Sequence, residues 1–515
     1  MTAPTRPPPS SQALAWATVA WRKHLGEPHV VLDRDVVDPA EIATFATEHR
    51  VAAILRPGRR AEVQACLRVA TAHEVPVYPV SRGANWGYGS RVPTSHGAVL
   101  LDLSRMERVV DVDLVLGTLT VEPGVTFADV EERLRGTGWM LPSPGSSPGA
   151  SVVGNTVDGG VCDGLVPLRR RAVLEVEVVT PDGEVLRTGL GAFPDARARG
   201  AHPGVGPDLT GLFLQSNLGV VTRMTIALQR VPPRQAAVHL QLYDDARLPG
   251  LVDAVRIVLR DGLIEGSVTF YDEIRLLAMT TRYPYGEVGG ATPLPEAWLA
   301  EVREALGGSR WIVEASVRST DGARLDSARR TLIEALTPWA DRVDFAADAP
   351  TPQFTPELRP TVETAYWRKR ALPDAGDLHP DRDRCGVIWV PLASRLEGER
   401  VAVLIATLRP VYAEYGFEAA FSIRTLDERA AVVLAAILFD RDAPGEDARA
   451  LDCHRALVAR ATATGALVTR PTVLDGPNLD ADRGAVALIR RLKQALDPAD
   501  VLAPGRWDLR GSWRD

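Results

Sequence analysis

The chain has 515 residues, 45% of them hydrophobic and 24% charged, which is the balance of a globular protein and not of a disordered one. At roughly 150 residues per domain, that length suggests two large domains or three small ones. A net charge of −7 without a basic block argues against a nucleic-acid partner, and no window nears the ~18 unbroken apolar residues of a membrane span.

A Pro-rich leader precedes Ala13 to Trp21, which reads as an amphipathic helix; the run is short and the leader carries only Arg6, unlike a signal peptide. Val51 to Leu55 reads as a strand closed by Pro57-Gly58, Ala61 to His73 as a helix, and Val75 to Val80 as a strand: one α/β unit. Strands over Ala98 to Leu103 and Thr118 to Glu122 follow, then a helix over Phe127 to Gly136 that stops at glycine. Ala172 to Thr180 and Glu184 to Arg187 form a hairpin about Pro181-Asp182-Gly183, and Thr222 to Leu228 alternates as a strand.

The character changes at Arg230-Val231-Pro232-Pro233. Strand and helix patterns then recur over Ala236 to Leu242, Leu248 to Leu259 and Gly266 to Tyr271, and again over Trp311 to Arg318, Gly322 to Leu336 and Val343 to Ala347. A third series covers Gly386 to Leu392, Gly398 to Tyr415, Glu418 to Thr425 and Ala430 to Phe439. The pattern predicts an α+β unit with helices against one face of an antiparallel sheet, without a strict repeat. A helix over Gly484 to Leu496 precedes Asp497-Pro498 and Leu502 to Arg506.

Cys66, Cys162, Cys385 and Cys453 lie far apart and form no CxxC pair, which excludes a zinc ribbon or a dense disulfide frame and suits a reducing cytoplasm. Cys453-His454 reads as part of an ordinary helix, so no metal site is expected.

The densest glycine cluster, Ser81-Arg82-Gly83-Ala84-Asn85-Trp86-Gly87-Tyr88-Gly89, follows directly on a strand. Successive glycines let several main-chain N–H groups converge on one anion, the way a loop cradles a diphosphate without lysine. On this loop alone, a plain tight turn fits equally well. No GxGxxG joins a strand to a helix, and no GxxxxGK(S/T) is present, so nicotinamide and nucleoside-triphosphate sites are weakly supported. Gly145-Ser146-Ser147-Pro148-Gly149 formally matches GxSxG. In a nucleophile elbow the residue after the serine gives an N–H to the oxyanion hole, and here the arrangement meets Pro148, which has none, after Pro142 and Pro144 instead of a strand. A serine hydrolase is thus the remote alternative.

Several motifs occur in a fixed order. Arg82 to Gly89 is followed by Val99-Leu100-Leu101-Asp102-Leu103-Ser104-Arg105-Met106, Val121-Glu122-Pro123-Gly124-Val125-Thr126 and Val153-Gly154-Asn155-Thr156. Next come Gly206-Pro207-Asp208-Leu209-Thr210-Gly211-Leu212-Phe213 and Gln215-Ser216-Asn217-Leu218-Gly219-Val220-Val221-Thr222, and last Asp497-Pro498 with Leu502-Ala503-Pro504-Gly505-Arg506. The ordered set resembles the FAD-linked oxidases of the vanillyl-alcohol oxidase and 4-cresol dehydrogenase family, over nearly the whole chain.

That resemblance implies an α+β, two-domain PCMH-type FAD-binding fold with an inserted ferredoxin-like α+β cap. Its parts would be a tail and helix over 1–43, the FAD-binding domain over 44–232, the cap over 233–464, and a segment over 465–515 that returns to the FAD domain. It implies FAD on Pro79, Ser81, Arg82, Gly83, Ala84 and Asn85 at the diphosphate, and on Ser146, Gly149, Ser151, Gly154, Asn155 and Gly160 along the flavin. Gly219, Val220, Val221 and Arg506 would add further contacts. Tyr88 and Arg470 match the residues that hold a substrate phenol oxygen, with Trp389, Thr469 and Ser146 in the pocket wall; taken alone, Arg470 would more commonly be a surface salt bridge. Removing hydride from the benzylic carbon of a para-substituted phenol is easy only from the phenolate, which a fixed guanidinium and a phenolic O–H stabilise.

The expected activity is therefore that of an FAD-dependent oxidase or dehydrogenase, taking hydride from a small aromatic or cyclic substrate of phenol or alcohol type onto flavin N5. The alternative is a flavin-binding protein with lost or altered turnover. Three departures from the family pattern bear on this: Thr469 stands where a second tyrosine is usual, Ser146 where one member has aspartate, and Cys162 to Pro167 replaces an aromatic stretch. Cys385-Gly386-Val387-Ile388-Trp389-Val390-Pro391 matches the strand that often tethers FAD but carries neither histidine nor tyrosine, so FAD is expected to be non-covalent, with His379 the nearby fallback. A cytoplasmic protein, with a homodimer as in many relatives and a small-molecule substrate as partner, completes the expectation.

Overall fold

Three sheets and their helices carry the cavity described below. The computed structural model describes residues 6–142, 147–196, 200, 204–305, 307–346, 360–373, 378–475 and 482–507. The first sheet has the spatial order Val30–Val31, Val51–Leu55, Ala98–Asp102, Val77–Val80. Ala98–Asp102 inserts parallel to both neighbours and is buried throughout, which is why its sequence is a continuous apolar run. Helix Arg60–Ala72 makes the crossover and buries Val63, Cys66, Leu67, Val69 and Ala70. Helix Ser11–Leu25 packs on it, with Trp21 Nε1 donating to the Cys66 carbonyl at 3.0 Å.

The second sheet is antiparallel, in the order Val109–Asp113, Thr118–Val121, Val220–Ala227, Val173–Val179, Val185–Arg187. Beside it, helix Phe127–Leu134 starts on a reciprocal cap in which Thr126 and Asp129 satisfy each other's main-chain N–H.

The third sheet has eight strands, all paired antiparallel: Arg342–Phe345, Arg234–Leu242, Trp311–Ser319, Thr269–Asp272, Ala420–Thr425, Ala430–Asp440, Cys385–Arg395, Leu467–Val468. Side chains alternate faces along a strand. Along Cys385–Arg395, Ile388, Val390 and Leu392 enter a core with helices Leu248–Arg260, Gly322–Leu336, Gly398–Glu414 and Glu446–Ala463. Val387 and Trp389 face the other way, into a cluster with Ile274, Leu277, Val362, Tyr366 and Trp367, against which Trp86 and Tyr88 pack.

Helices Glu273–Thr280 and Pro360–Ala365 contribute to that second face, so the expectation of helices on one face only is corrected. They run to 8 and 6 residues, too short to display a helical period in sequence. Elsewhere the element boundaries match closely: the helix read over Gly322 to Leu336 occupies Gly322–Leu336. Among the described residues no helix is long and apolar enough to cross a membrane.

After helix Arg483–Leu496 the chain joins the first sheet, where Val77 N–H donates to the Val501 carbonyl and Ala503 N–H to the Val77 carbonyl, both at 2.8 Å. Lys493 Nζ, buried, donates to Asp497 at 2.7 Å and to the carbonyls of Asn217 and Leu502, fixing this turn.

Buried Asp381 accepts from Ser90 Oγ at 2.8 Å and so holds the end of the glycine cluster. Burial, opposed by the Ser90 hydrogen bond, pushes its carboxyl up to about 7. An acid whose folded value is raised contributes stability that is full below its unfolded value and is lost as pH rises through the folded one. The expected outcome is that the melting temperature of the wild type, measured against that of Asp381→Asn by circular dichroism, falls as pH rises from 4 to 7.

Candidate active site

A cavity of about 320 Å³ opens where the glycine cluster, the short helix Val152–Val157, the start of strand Val220–Ala227 and the third sheet meet. Its wall includes Pro79, Ser81, Arg82, Gly83, Ala84, Asn85 and Tyr88, together with Ser151, Gly154, Asn155, Gly219, Val220 and Val221. Trp389, Thr469, Arg470 and Arg506 complete the residues singled out from the sequence that lie in the wall. Gly149 and Gly160 are not brought to it. Gly160 packs behind Asn155 instead, where an added Cβ would come 2.0 Å from Asn155 Oδ1. Ser146 lies outside the described residues.

The glycine cluster owes its shape to its contacts as much as to its turns. Gly87 has φ of +83° and lies against the Trp389 ring; a Cβ there would sit 2.0 Å from Trp389 Cδ1. Trp389 in turn gives its main-chain N–H to the Gly87 carbonyl at 3.2 Å and its indole N–H to the Trp86 carbonyl at 3.1 Å. Among the described residues, no protein acceptor takes the main-chain N–H groups of Arg82, Gly83, Ala84 or Asn85. The Asn155 side-chain oxygen is also buried without a partner.

Asp158 gathers the charged groups. It accepts from Arg470 Nε at 2.8 Å, Arg506 Nη2 at 2.7 Å and Asn85 Nδ2 at 3.0 Å, and Arg470 Nη2 also donates to Asn85 Oδ1 at 2.8 Å. Burial pushes the Asp158 carboxyl up, but the two guanidinium groups outweigh it and hold the group below its ordinary value. The Arg470 guanidinium stands 4.1 Å from the centre of the Tyr88 ring. Burial raises the Tyr88 hydroxyl above its usual value against the pull of Arg470, so it stays protonated and able to donate. Thr469 is fixed by its N–H to the Pro391 carbonyl and by Gln215 Nε2 on its own carbonyl, both at 2.9 Å.

Sequence reasoning missed Asp158, which lies just beyond the Val153 to Thr156 motif; a carboxylate there was visible, but its two partners are 312 and 348 residues away. It also missed Asp163, Tyr271, Arg275 and Arg424, which line the same cavity. Burial, with the neighbouring Asp163, pushes Tyr271 up to about 12. Arg424 pairs with Asp163 at 3.0 Å. His379 packs edge-on to Trp86 with ring centres 5.6 Å apart and is not part of the wall. Cys453-His454 falls in helix Glu446–Ala463, and His454 pairs with Asp475 at 3.1 Å. Among the described residues no cluster of His, Cys, Asp and Glu could hold a metal ion.

Residues 51–189 match the FAD binding domain family model. The 1'-carboxy-chondrochloren decarboxylase of Chondromyces crocatus is 39% identical, across 98% of this chain and 99% of its own. The chain belongs to the FAD-linked oxidase family of vanillyl-alcohol oxidase and 4-cresol dehydrogenase. Another relative is the 4-cresol dehydrogenase [hydroxylating] flavoprotein subunit of Pseudomonas putida, 27% identical across 95% of this chain and 94% of its own. The crystal structure of p-cresol methylhydroxylase with substrate bound shares the fold, with a TM-score of 0.89 at 24% identity over 98% of this chain and 99% of that one.

As a member of this FAD-linked family the chain is an FAD-binding oxidoreductase. Its own residues fit that cofactor: unshared main-chain amides suit a diphosphate, and an orphaned buried carbonyl oxygen at Asn155 suits a ring N–H. Gly87→Ala is expected to push Trp389 aside, lowering stability by about 1–3 kcal/mol and FAD content with it. Thermal melting and the ratio of flavin to protein absorbance check this; unchanged values in both would contradict it.

Proposed function

We propose that this enzyme takes hydride from the benzylic carbon of a small para-substituted phenol. The observation that carries the reading is that one cavity joins the glycine cluster to the Tyr88–Arg470 pair. FAD bound along Pro79 to Asn85, Ser151 to Asn155, Gly219 to Val221 and Arg506 supplies a two-electron hydride acceptor at N5.

The chain's residues do the rest. Tyr88 donates its O–H to the phenol oxygen, and Arg470 holds the developing phenolate by charge. Asp158 keeps the Arg470 guanidinium aimed, yet does not cancel the site: two arginines face one carboxylate, leaving an excess positive charge beside the cavity. That excess lowers the substrate's pKa and so raises the fraction bound as phenolate. The 39%-identical relative favours a second reading, in which the substrate is a carboxylic acid that loses carbon dioxide as well as hydride.

FAD is held without a covalent bond in this proposal. Strand Cys385–Arg395 carries neither histidine nor tyrosine, and His379 stands outside the cavity wall. Acid precipitation is expected to leave the flavin in the supernatant; fluorescence that stays with the denatured protein band would overturn that.

Mixing the enzyme anaerobically with a panel of para-substituted phenols should bleach the flavin absorbance, and a panel that leaves it unchanged would refute the reading. Arg470→Ala should lower kcat by about 10²–10³-fold, the size of loss seen when a transition-state donor is removed. Its FAD content should change far less, because Arg506 remains to pair with Asp158. Parallel loss of both would make Arg470 a folding residue.

A further inference from the structure

We propose that Arg275 anchors a carboxylate on the substrate, so that the site selects para-substituted phenols whose side chain bears an acid. The inference rests on the phenol reading above and narrows its substrate class.

Among the described residues, four of the six buried arginines and lysines are matched by carboxylates. Arg368 pairs with Glu418 at 2.6 Å and Glu446 at 3.2 Å, Lys369 with Asp440 at 3.1 Å, Lys493 with Asp497 at 2.7 Å and Arg506 with Asp158 at 2.7 Å. Among the described residues, the buried arginines without such a partner are Arg169 and Arg275. Arg169 lies outside the large cavity, its guanidinium 4.5 Å from the Phe127 ring centre and hydrogen-bonded to the Pro142 carbonyl.

Arg275 is different because it stands in the cavity wall, 5% exposed. Its Nη1 donates to Thr364 Oγ1 at 2.5 Å, and its guanidinium carbon lies 5.2 Å from the Trp389 ring centre. Its Nε is buried with no acceptor. Of the two acids just before it, Glu273 pairs with Arg303 at 2.6 Å, and Asp272 spends its oxygens on the main-chain N–H groups of Arg275 and Phe421, at 2.7 Å and 3.0 Å, while burial pushes the Asp272 carboxyl up to about 7. Burial draws Arg275 down only to about 10, so it remains a cation at neutral pH. The other arginines of the wall are already engaged, Arg82 by Glu107, Arg424 by Asp163 and both Arg470 and Arg506 by Asp158.

A buried guanidinium with open donors is costly unless an anion completes it, and a carboxylate matches its planar fork. Arg470 lies over Tyr88, whereas Arg275 lies beside Trp389 on the cap side of the same cavity. A ligand with a phenol at one end and a carboxylate at the other engages both.

The test compares kcat/KM for 3-(4-hydroxyphenyl)propanoate and 4-propylphenol, which share a phenol and chain length but differ in charge. The wild-type enzyme should prefer the acid by about tenfold or more, which corresponds to about 1.4 kcal/mol. Arg275→Met should erase that preference, judged as the ratio of the two constants so that any loss common to both cancels, and Arg275→Lys should keep part of it. Equal rates with the two compounds in the wild type, or a ratio unmoved in Arg275→Met, would overturn the assignment while leaving phenol oxidation standing. Failure of both compounds to reduce the flavin would instead overturn the phenol reading, and this assignment with it.

Discussion

Two guanidinium groups converge on the Asp158 carboxylate beside the cavity, Arg470 at 2.8 Å and Arg506 at 2.7 Å. In that buried setting a lone carboxylate would protonate, and a lone guanidinium would carry an uncompensated desolvation cost. Together they persist, and the pairing brings into register the turn after helix Val152–Val157, the loop that leaves the third sheet, and the chain's return to the first sheet. Arg506 also donates to the Pro471 carbonyl at 2.9 Å, next to the residue it shares Asp158 with. The arrangement therefore holds both the Tyr88 side of the cavity and its glycine-lined side.

The meeting of the glycine cluster and the third sheet is steric as well as electrostatic. Trp389 reaches the cluster because strand alternation sends it away from Ile388 and Val390, which belong to the helix-covered core. It rests on Gly87, whose missing Cβ makes room for the indole. A one-residue slip of Cys385–Arg395 would move the indole into the core and take a cavity wall with it. Eleven registered pairs with Ala430–Asp440 hold the strand against such a slip.

Charge in the wall follows the same logic. Among the charged groups of the wall, Arg82, Arg275, Arg424, Arg470 and Arg506 outnumber Asp158 and Asp163, which leaves the cavity net positive. That favours an anionic form of whatever enters, whether a phenolate, an acid or a diphosphate. Tyrosines 88 and 271, kept protonated by burial, add donors without adding negative charge.

Much of the fold was legible from residues alone. The long elements appear where period and glycine or proline punctuation put them, since amphipathic spacing and turn chemistry act over a few residues. The ordered motifs likewise resemble those of an FAD-linked family, and a glycine loop is one way for main-chain N–H groups to gather on a diphosphate. What the sequence did not reveal were the short helices Glu273–Thr280 and Pro360–Ala365, the insertion of Ala98–Asp102 between its two parallel neighbours, and the Asp158 cluster. Asp158, Asp163, Tyr271, Arg275 and Arg424 stand at unremarkable positions along the chain. They become a site only when sheet pairing and ion pairing bring together segments hundreds of residues apart. Local spacing determines which elements form; pairing between distant segments decides which charges share one low-dielectric cavity.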